Sequence, residues 1–316
     1  MRGKLEYQIV EDVMQTGEIP VEQKAVLIVN TRSRRGREWL PRVEAALKDS
    51  SIRVCETWAL RHPKAIMEKT QAAVASQTPL VIVGGGDGTL SSVARYFIGS
   101  CSTLGVIPMG TGNQFARDLG IVAEVEAACE VLANGKRTLV DVGIIGDHTF
   151  LNVATVGLTT RIAEELTVEA KRRFGRFVYV IALAHALQRV KPFRATIQTK
   201  ETSQTFETLQ IVIGNGRFHA GPFPLAPEAR ITSGRLVAYA LKTTSRWELI
   251  RFGLNLPGGH HVELEDVTVL CTRGGRLVTS PPQKITVDGE IALRTPVDFG
   301  IKPLALPVMT PQEFAG

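Results

Sequence analysis

The sequence predicts an α/β protein, with an N-terminal domain built on a parallel sheet followed by a mostly antiparallel, β-sandwich-like domain. Three observations carry that expectation. Short apolar runs such as Ala25–Asn30 and Leu80–Val83 alternate with helical stretches through Leu119, the rhythm of βαβ units whose strands are buried on both faces. Two of these runs end in glycine clusters, Gly84-Gly85-Gly86 and Gly110-Thr111-Gly112. From about Val140 the texture changes to β-rich runs with few helices between them.

Taken in order, Ala25–Asn30 reads as a buried strand and Glu38–Asp49 as the helix behind it. Ser51–Trp58, Leu80–Val83 and Thr103–Ile107 are further strands, with helices at Pro63–Ser76, Leu90–Ile98 and Gly112–Leu119. Crossovers of this kind are right-handed. In the second domain, strands are expected at Thr138–Ile145, Thr149–Thr155, Arg194–Lys200, Glu207–Gly214, Arg235–Leu241, Val262–Cys271 and Lys284–Val287. Helices near Arg176–Val190 and Ser245–Asn255 interrupt them, the first apolar on nearly every side and so marked for core packing.

Composition narrows the function classes. The 316 residues are 44% hydrophobic, with 37 Lys and Arg against 31 Asp and Glu, a formal net charge of +6. That length suits roughly two domains. The charge fits anionic ligands but is too weak to indicate nucleic acid, so no nucleic-acid partner is expected. Met1–Pro20 has no apolar h-region of a signal peptide. The apolar run Phe177–Leu187 is far shorter than the ~20 residues of a membrane span. A cytoplasmic protein is expected, at most peripheral at the inner membrane face. Cys55, Cys101, Cys129 and Cys271 form no CxxC pair, so they are read as buried free thiols rather than a disulfide or zinc set. The sequence leaves homo-oligomerisation open.

The chemistry concentrates in two glycine turns. Val81–Thr89 is a strand running into Gly84-Gly85-Gly86-Asp87-Gly88-Thr89. Glycines at a strand's carboxyl end turn tightly and present bare N–H groups to an anion, and the helix that follows adds the positive end of its dipole. The string is neither GxGxxG nor a Walker A loop, because no Lys follows it. Gly105–Arg117 repeats the logic, with Thr111 and Asn113 at the helix start. A third polar loop, framed by Asn30, Ser33 and Gly36, carries Arg32, Arg34 and Arg35. Loops at the ends of successive parallel strands share one crevice.

Together with Asp288-Gly289-Glu290, the strings GGDGT (Gly85–Thr89) and PMGTGN (Pro108–Asn113) resemble the diacylglycerol kinase catalytic family, which includes bacterial lipid kinases and sphingosine kinases and is more distantly similar to NAD kinase. The resemblance runs from about Ala25 to Pro307. It implies a nucleotide-binding domain over 25–139, to which about 297–316 return, a β-rich lipid-substrate domain over 140–296, and an extension over 1–24. It implies that ATP is held by Asn30, Ser33, Gly36, Gly85, Gly86, Asp87, Gly88, Thr89, Leu90, Ser91, Ser92, Gly110, Thr111 and Asn113. It implies Mg²⁺, reached partly through water by Asp87 and Asp141. Glu290 matches the acid that takes the proton from the lipid hydroxyl, and Asp87 is the second candidate. Physically, a hydroxyl attacking a γ-phosphate needs a carboxylate within reach and a cation against the phosphate charge. Asp288, two residues from Glu290, is a further candidate, although Asp-Gly also closes a plain hairpin.

Three positions depart from the family's pattern. Gln114 stands where an Asp is usual, which removes a charge from the metal network. Ser233 stands where an Asp before Gly234 would serve a separate structural metal. Thr31 stands where Pro is common. Besides a lipid kinase, the sequence therefore keeps open a non-catalytic nucleotide-binding regulator, while PMGTGN argues against an NAD kinase-like enzyme. Lys171–Phe177, four cations beside two aromatics, reads as a contact with anionic headgroups. Asn215–Phe223, with His219, resembles a cleft-facing glycine-rich loop. His260-His261 lacks a third metal ligand at suitable spacing.

Overall fold

The structure, a computed structural model, describes residues 23–165, 178–216, 218–219, 223–224, 230–241, 245, 248 and 267–316. The first half runs β1 (Gln23–Asn30), α1 (Arg34–Lys48), β2 (Ile52–Leu60), α2 (Pro63–Ala75), β3 (Leu80–Gly85), α3 (Asp87–Ala94), β4 (Thr103–Pro108), α4 (Gln114–Asp118) and α5 (Val125–Asn134). Both β3 and β4 are buried at every residue, as parallel strands covered on two faces must be. The strands pair in parallel in the order β2-β1-β3-β4. Because β2 lies on one side of β1 and β3 on the other, the order reverses at β1 and β3. A crevice opens at their carboxyl ends.

The second half runs β5 (Lys136–Ile145), β6 (His148–Phe150), β7 (Val153–Gly157), α6 (Leu158–Glu165), α7 (Val178–Arg189), β8 (Phe193–Gln198), β9 (Ser203–Thr208), β10 (Gln210–Gly214), β11 (Phe218–His219), β12 (Phe223–Pro224), β13 (Leu236–Leu241), β14 (Val267–Thr272), β15 (Gly274–Ser280), β16 (Lys284–Val287), β17 (Glu290–Arg294) and β18 (Val297–Thr310). Six of these strands form an antiparallel sheet, β14-β13-β10-β7-β16-β17. The first sheet continues past β4. Val308 of β18 pairs in parallel with Leu104, Val297–Gly300 pair antiparallel with β15, and β15 leads to β8 and β9. With β5 and β6 alongside, it becomes one ten-stranded sheet common to both halves.

Three cores follow. One surrounds the parallel strands and includes Val140, Val142, Leu306 and Val308 from β5 and β18. A second lies between the two sheets, where Phe150, Ile211, Ile285 and Phe299 meet. The third covers the outer face of the six-stranded sheet, where Leu187 and Val190 at the end of α7 pack on Val212, Val237 and Tyr239. Core packing accounts for only one side of this helix: Ala182 and Ala186 are buried, whereas Leu183 is 42% exposed and Ala184 is exposed too.

Several expectations change. The helix expected at Leu90–Ile98 begins at Asp87, inside the glycine turn. The expected strand Thr149–Thr155 is two strands, β6 and β7, because the amides of Leu151, Asn152 and Val153 turn to the Asp288 carboxylate. Of the four thiols only Cys129 is buried, and burial pushes it up to about 11; Cys55, Cys101 and Cys271 are exposed. Cys55 and Cys271 lie on β2 and β14, each of which has one side unpaired among the described residues. The segments 1–22, Lys171–Phe177 and His260-His261, the centre of Asn215–Phe223, and nearly all of the helix expected at Ser245–Asn255 lie outside the described residues. No helix among the described residues is long and apolar enough to cross a membrane.

Candidate active site

Three loops meet at the carboxyl ends of β1, β3 and β4. Asn30, closing β1, donates from Nδ2 to Thr89 Oγ1 at 2.9 Å and accepts the Arg32 amide on Oδ1 at 3.0 Å. Ser33 caps α1 by accepting the Gly36 amide at 2.9 Å. Glycine is required at 36, since a Cβ there would sit 2.0 Å from the Asn30 carbonyl oxygen. Arg35 crosses to the third loop, donating to the Gly110 carbonyl at 2.6 Å. Gly110 lies so close to Gly86 that a Cβ would come within 2.6 Å of the Gly86 Cα. Asn113, at φ +49, accepts the Gly110 amide at 2.8 Å and so holds that turn.

The start of α3 suits an anion. Its N-cap is Gly86, which offers no capping side chain, and the first intrahelical bonds run from Thr89 and Leu90 to the Gly86 carbonyl. First-turn amides ahead of these have no partner within the helix, and they carry the positive end of its dipole. Open space lies beside them, for a Cβ on Gly88 would meet nothing within 4 Å. This cradle fits a phosphate chain. Asp87 adds a carboxylate at the same corner, its Oδ1 accepting the Phe115 amide at 3.1 Å. Burial pushes this carboxyl above its ordinary value, and the amides of Phe115, Gln114 and Asn113 pull it back in part.

Asp288 and Glu290 differ sharply although two residues apart. Asp288 and Gly289 are the turn between β16 and β17, both at positive φ as a type I′ hairpin requires. The Asp288 carboxylate accepts from Ser91 Oγ at 2.5 Å and from the amides of Leu151, Asn152 and Val153 at 2.8 to 3.0 Å. Burial raises its pKa, against the lowering effect of those four donors. Glu290 is exposed at the start of β17. It lines a cavity of about 370 Å³ with Gly88, Ser91 and Ser92 of α3 and with Arg95, the C-cap residue of that helix. Met67, His148, Thr149, Ile291 and Ala292 complete much of the wall.

Asp141 is set to another task. It is fully buried in β5, with Oδ2 accepting the Gly234 amide at 2.6 Å and Oδ1 the Leu304 amide at 2.8 Å. Both oxygens thus fix backbone, including Leu304 at φ +48 where β18 shifts register. Leu90, also among the expected nucleotide residues, is fully buried in the core, while Thr111 lines a neighbouring cavity with Arg35 and Arg117. Among the described residues, no three of His, Cys, Asp and Glu converge on one point. The donor set therefore fits a cation brought near Asp87 by phosphates and water, and does not fit an all-protein metal cage.

Arg95, His148 and Met67 were missed from the sequence. Arg95 had a signal, since Gly88, Ser91, Ser92 and Arg95 fall on one helical face at i, i+3, i+4 and i+7. His148 and Met67 reach the cavity only through tertiary packing.

Comparisons with known proteins agree with this architecture. Residues 24–145 match the diacylglycerol kinase catalytic domain, and residues 152–310 match the YegS C-terminal NAD kinase beta sandwich-like domain. A diacylglycerol kinase of Mycobacterium tuberculosis (strain ATCC 25618 / H37Rv) is 30% identical over 250 residues, covering 77% of this chain and 80% of that one. A protein of Enterobacter sp. (strain 638) named "Probable lipid kinase YegS-like" is 34% identical over 224 residues, 67% of this chain and 72% of its own. The uncharacterized protein sll0036 of Synechocystis sp. is 29% identical over 255 residues, and there the match covers 79% of this chain and 59% of that one. Two solved structures from Bacillus anthracis str. Sterne share the fold. One has a TM-score of 0.76 at 22% identity, covering 93% of this chain and 97% of that one. The other, described as a diacylglycerol kinase, has a TM-score of 0.69 at 17% identity, covering 93% and 98%. On the two matched domains and the extent of these likenesses, the chain belongs to the diacylglycerol kinase catalytic family of lipid kinase-like enzymes.

Proposed function

We propose that the protein transfers the γ-phosphate of ATP to the hydroxyl of a diacylglycerol-like lipid. The observation that carries this reading is the single cavity in which the exposed face of α3 meets Glu290. In this reading the loops of 25–139, with about 297–316, hold the nucleotide, and 140–296 present the acceptor. The amides at the start of α3 bind phosphate oxygens, and Asn30, Ser33, Gly36, Gly110 and Asn113 keep the three loops in register. Mg²⁺, when bound, offsets the charge of the phosphates, with Asp87 as the acid nearest to hold it. Asp141 supports the fold behind it.

Glu290 takes the proton of the acceptor hydroxyl as its oxygen bonds to the γ-phosphorus, and ADP departs with the electrons of the broken P–O bond. Such a positioned base contributes about 10²- to 10⁴-fold. Asp288, held by four donors, is a positioning residue that fixes the turn beneath Glu290. Met67, Ile291 and Ala292 give the cavity an apolar wall suited to an acyl-bearing acceptor; Ile291 is 44% exposed.

Transfer of label from γ-³²P-ATP, with Mg²⁺, to micelles containing diacylglycerol, monoacylglycerol, ceramide or sphingosine tests the reading, with NAD as a separate acceptor. Label in a lipid supports it. Label only in NAD overturns the acceptor class, and ATP binding with no transfer to any acceptor overturns catalysis in favour of a nucleotide-binding regulator.

A further inference from the structure

A second cavity, of about 690 Å³, lies at the opposite margin of the six-stranded sheet from β17 and takes no part in the chemistry above. The β8–β9 turn, the β14–β15 turn and the start of β13 form its walls. Lys200, Arg235 and Arg273 line it, all three exposed, and Glu201 is the one acid among the lining residues. None of the three cations makes an ion pair among the described residues, whereas neighbouring Arg276 pairs with Asp298 at 3.4 Å.

The rims of this groove are fixed by their own hydrogen bonds. Thr272 Oγ1 donates to the Gly274 carbonyl at 2.8 Å and accepts the Gly274 amide at 3.1 Å. A Cβ on Gly275 would lie 2.4 Å from the Gln198 carbonyl oxygen, so glycine lets the β14–β15 turn close against β8. On the other rim Thr199 Oγ1 accepts the amides of Glu201 and Thr202 at 3.2 and 3.0 Å. Three cations held on one concavity repel one another until an anion joins them.

Strand register gives the groove a direction. Thr272 pairs with Leu236, Val237 with Gly214, and Gly214 with Val153, whose carbonyl accepts the Asp288 amide. The groove and the turn below Glu290 therefore open at the same end of the sheet, four strand spacings from β14 to β16, or about 19 Å at ~4.8 Å per strand.

We propose that this groove binds a phosphate monoester or diester, with Arg235 and Arg273 as two-pronged donors and Lys200 as a point charge. Guanidinium forks match phosphate oxygens in pairs, and the cavity leaves room for the organic group attached to the phosphorus. That phosphate can belong to a soluble ester or to the headgroup of an anionic bilayer, and the register above would turn the cleft towards such a surface.

Cys271, exposed on the groove wall, supplies a reporter. In protein carrying Cys55→Ser and Cys101→Ser, with Cys129 buried, the alkylation of Cys271 by N-ethylmaleimide is timed at matched ionic strength. The probes are glycerol 3-phosphate, phosphatidylcholine vesicles containing phosphatidylglycerol, and vesicles of phosphatidylcholine alone. Slowing of about fivefold is expected at a ligand concentration near four times Kd. Arg235→Gln with Arg273→Gln should abolish the slowing, and Lys200→Gln, a single change on a surface turn, should weaken it if the pair impairs folding. Protection by glycerol 3-phosphate alone assigns a soluble ester, and protection by the anionic vesicles alone assigns a headgroup. No protection by either, equal protection by sodium chloride or plain phosphatidylcholine, or full protection in Lys200→Gln and the double variant would overturn the proposal.

Discussion

Ser91 donates its hydroxyl to Asp288 across 197 residues of sequence, tying helix α3, which follows the first glycine turn, to the hairpin that carries Glu290. The two groups assigned to opposite sides of the reaction are thus fastened through one half-buried carboxylate. Asp288→Asn replaces one acceptor oxygen with a donor that faces amides, while asparagine still tolerates the positive φ of 44°. Unfolding by urea should show a loss of about 2–4 kcal/mol for Asp288→Asn and about 1 kcal/mol for Ser91→Ala. Equal stability of both variants and the parent would show that these bonds do not hold the hairpin.

Glu290 should behave in the opposite way. It is exposed, so Glu290→Gln should change stability by no more than about 0.5 kcal/mol. Its kcat for labelled phosphate transfer should fall by about 10²- to 10⁴-fold, with ATP binding retained. Turnover at the parental rate would place the base elsewhere.

Two glycines near the phosphate cradle should respond differently to the same added methyl. Gly110→Ala drives a Cβ against the Gly86 backbone and the Asn113 side chain, which cannot both yield. It should cost about 1–3 kcal/mol and weaken ATP binding, read by calorimetry. Gly88→Ala meets nothing within 4 Å and lies in a helix, so it should stabilise by about 0.4–1 kcal/mol.

The raised pKa of Asp87 fixes the sign of a pH effect. Because burial makes the folded state hold this proton more tightly than the unfolded chain, whose ordinary value is 3.8, the group's stabilising contribution is complete below pH 3.8. It is lost as pH rises through the folded value. Urea midpoints of the parent minus those of Asp87→Asn should therefore fall as pH is raised from about 3.5 to 6; a difference that rises would reverse the assignment.

The meeting of three loops at the carboxyl ends of β1, β3 and β4 was legible because its signals are local. Strand-ending glycines and the Asn30, Ser33 and Asn113 side chains mark turns wherever they occur, and bonds such as Asn30 to Thr89 join what the sequence had already grouped. The α/β division was legible for the same reason, as strand and helix periods are written residue by residue. What stayed hidden is non-local. The donors that enclose Asp288 come from Ser91 and from Leu151–Val153, more than a hundred residues away, so a turn and a candidate base could not be told apart. The exposed thiols escaped for a related reason, since burial of Cys55 and Cys271 depends on which strands become edges and not on residue type.

β18 has a consequence for how the protein is made. This late strand sits inside the ten-stranded sheet, against β4 in one part and against β15 and β5 in others. During vectorial synthesis β4 and β5 emerge long before it, so the N-terminal half waits with open hydrogen-bonding edges until 165 residues have followed β5, counting from Ile145 to Thr310. Such long-range closure slows folding and leaves intermediates prone to edge-to-edge association. Nascent chains stalled before Val297 should therefore depend on chaperones, and the first half, expressed by itself, should aggregate where the full chain does not.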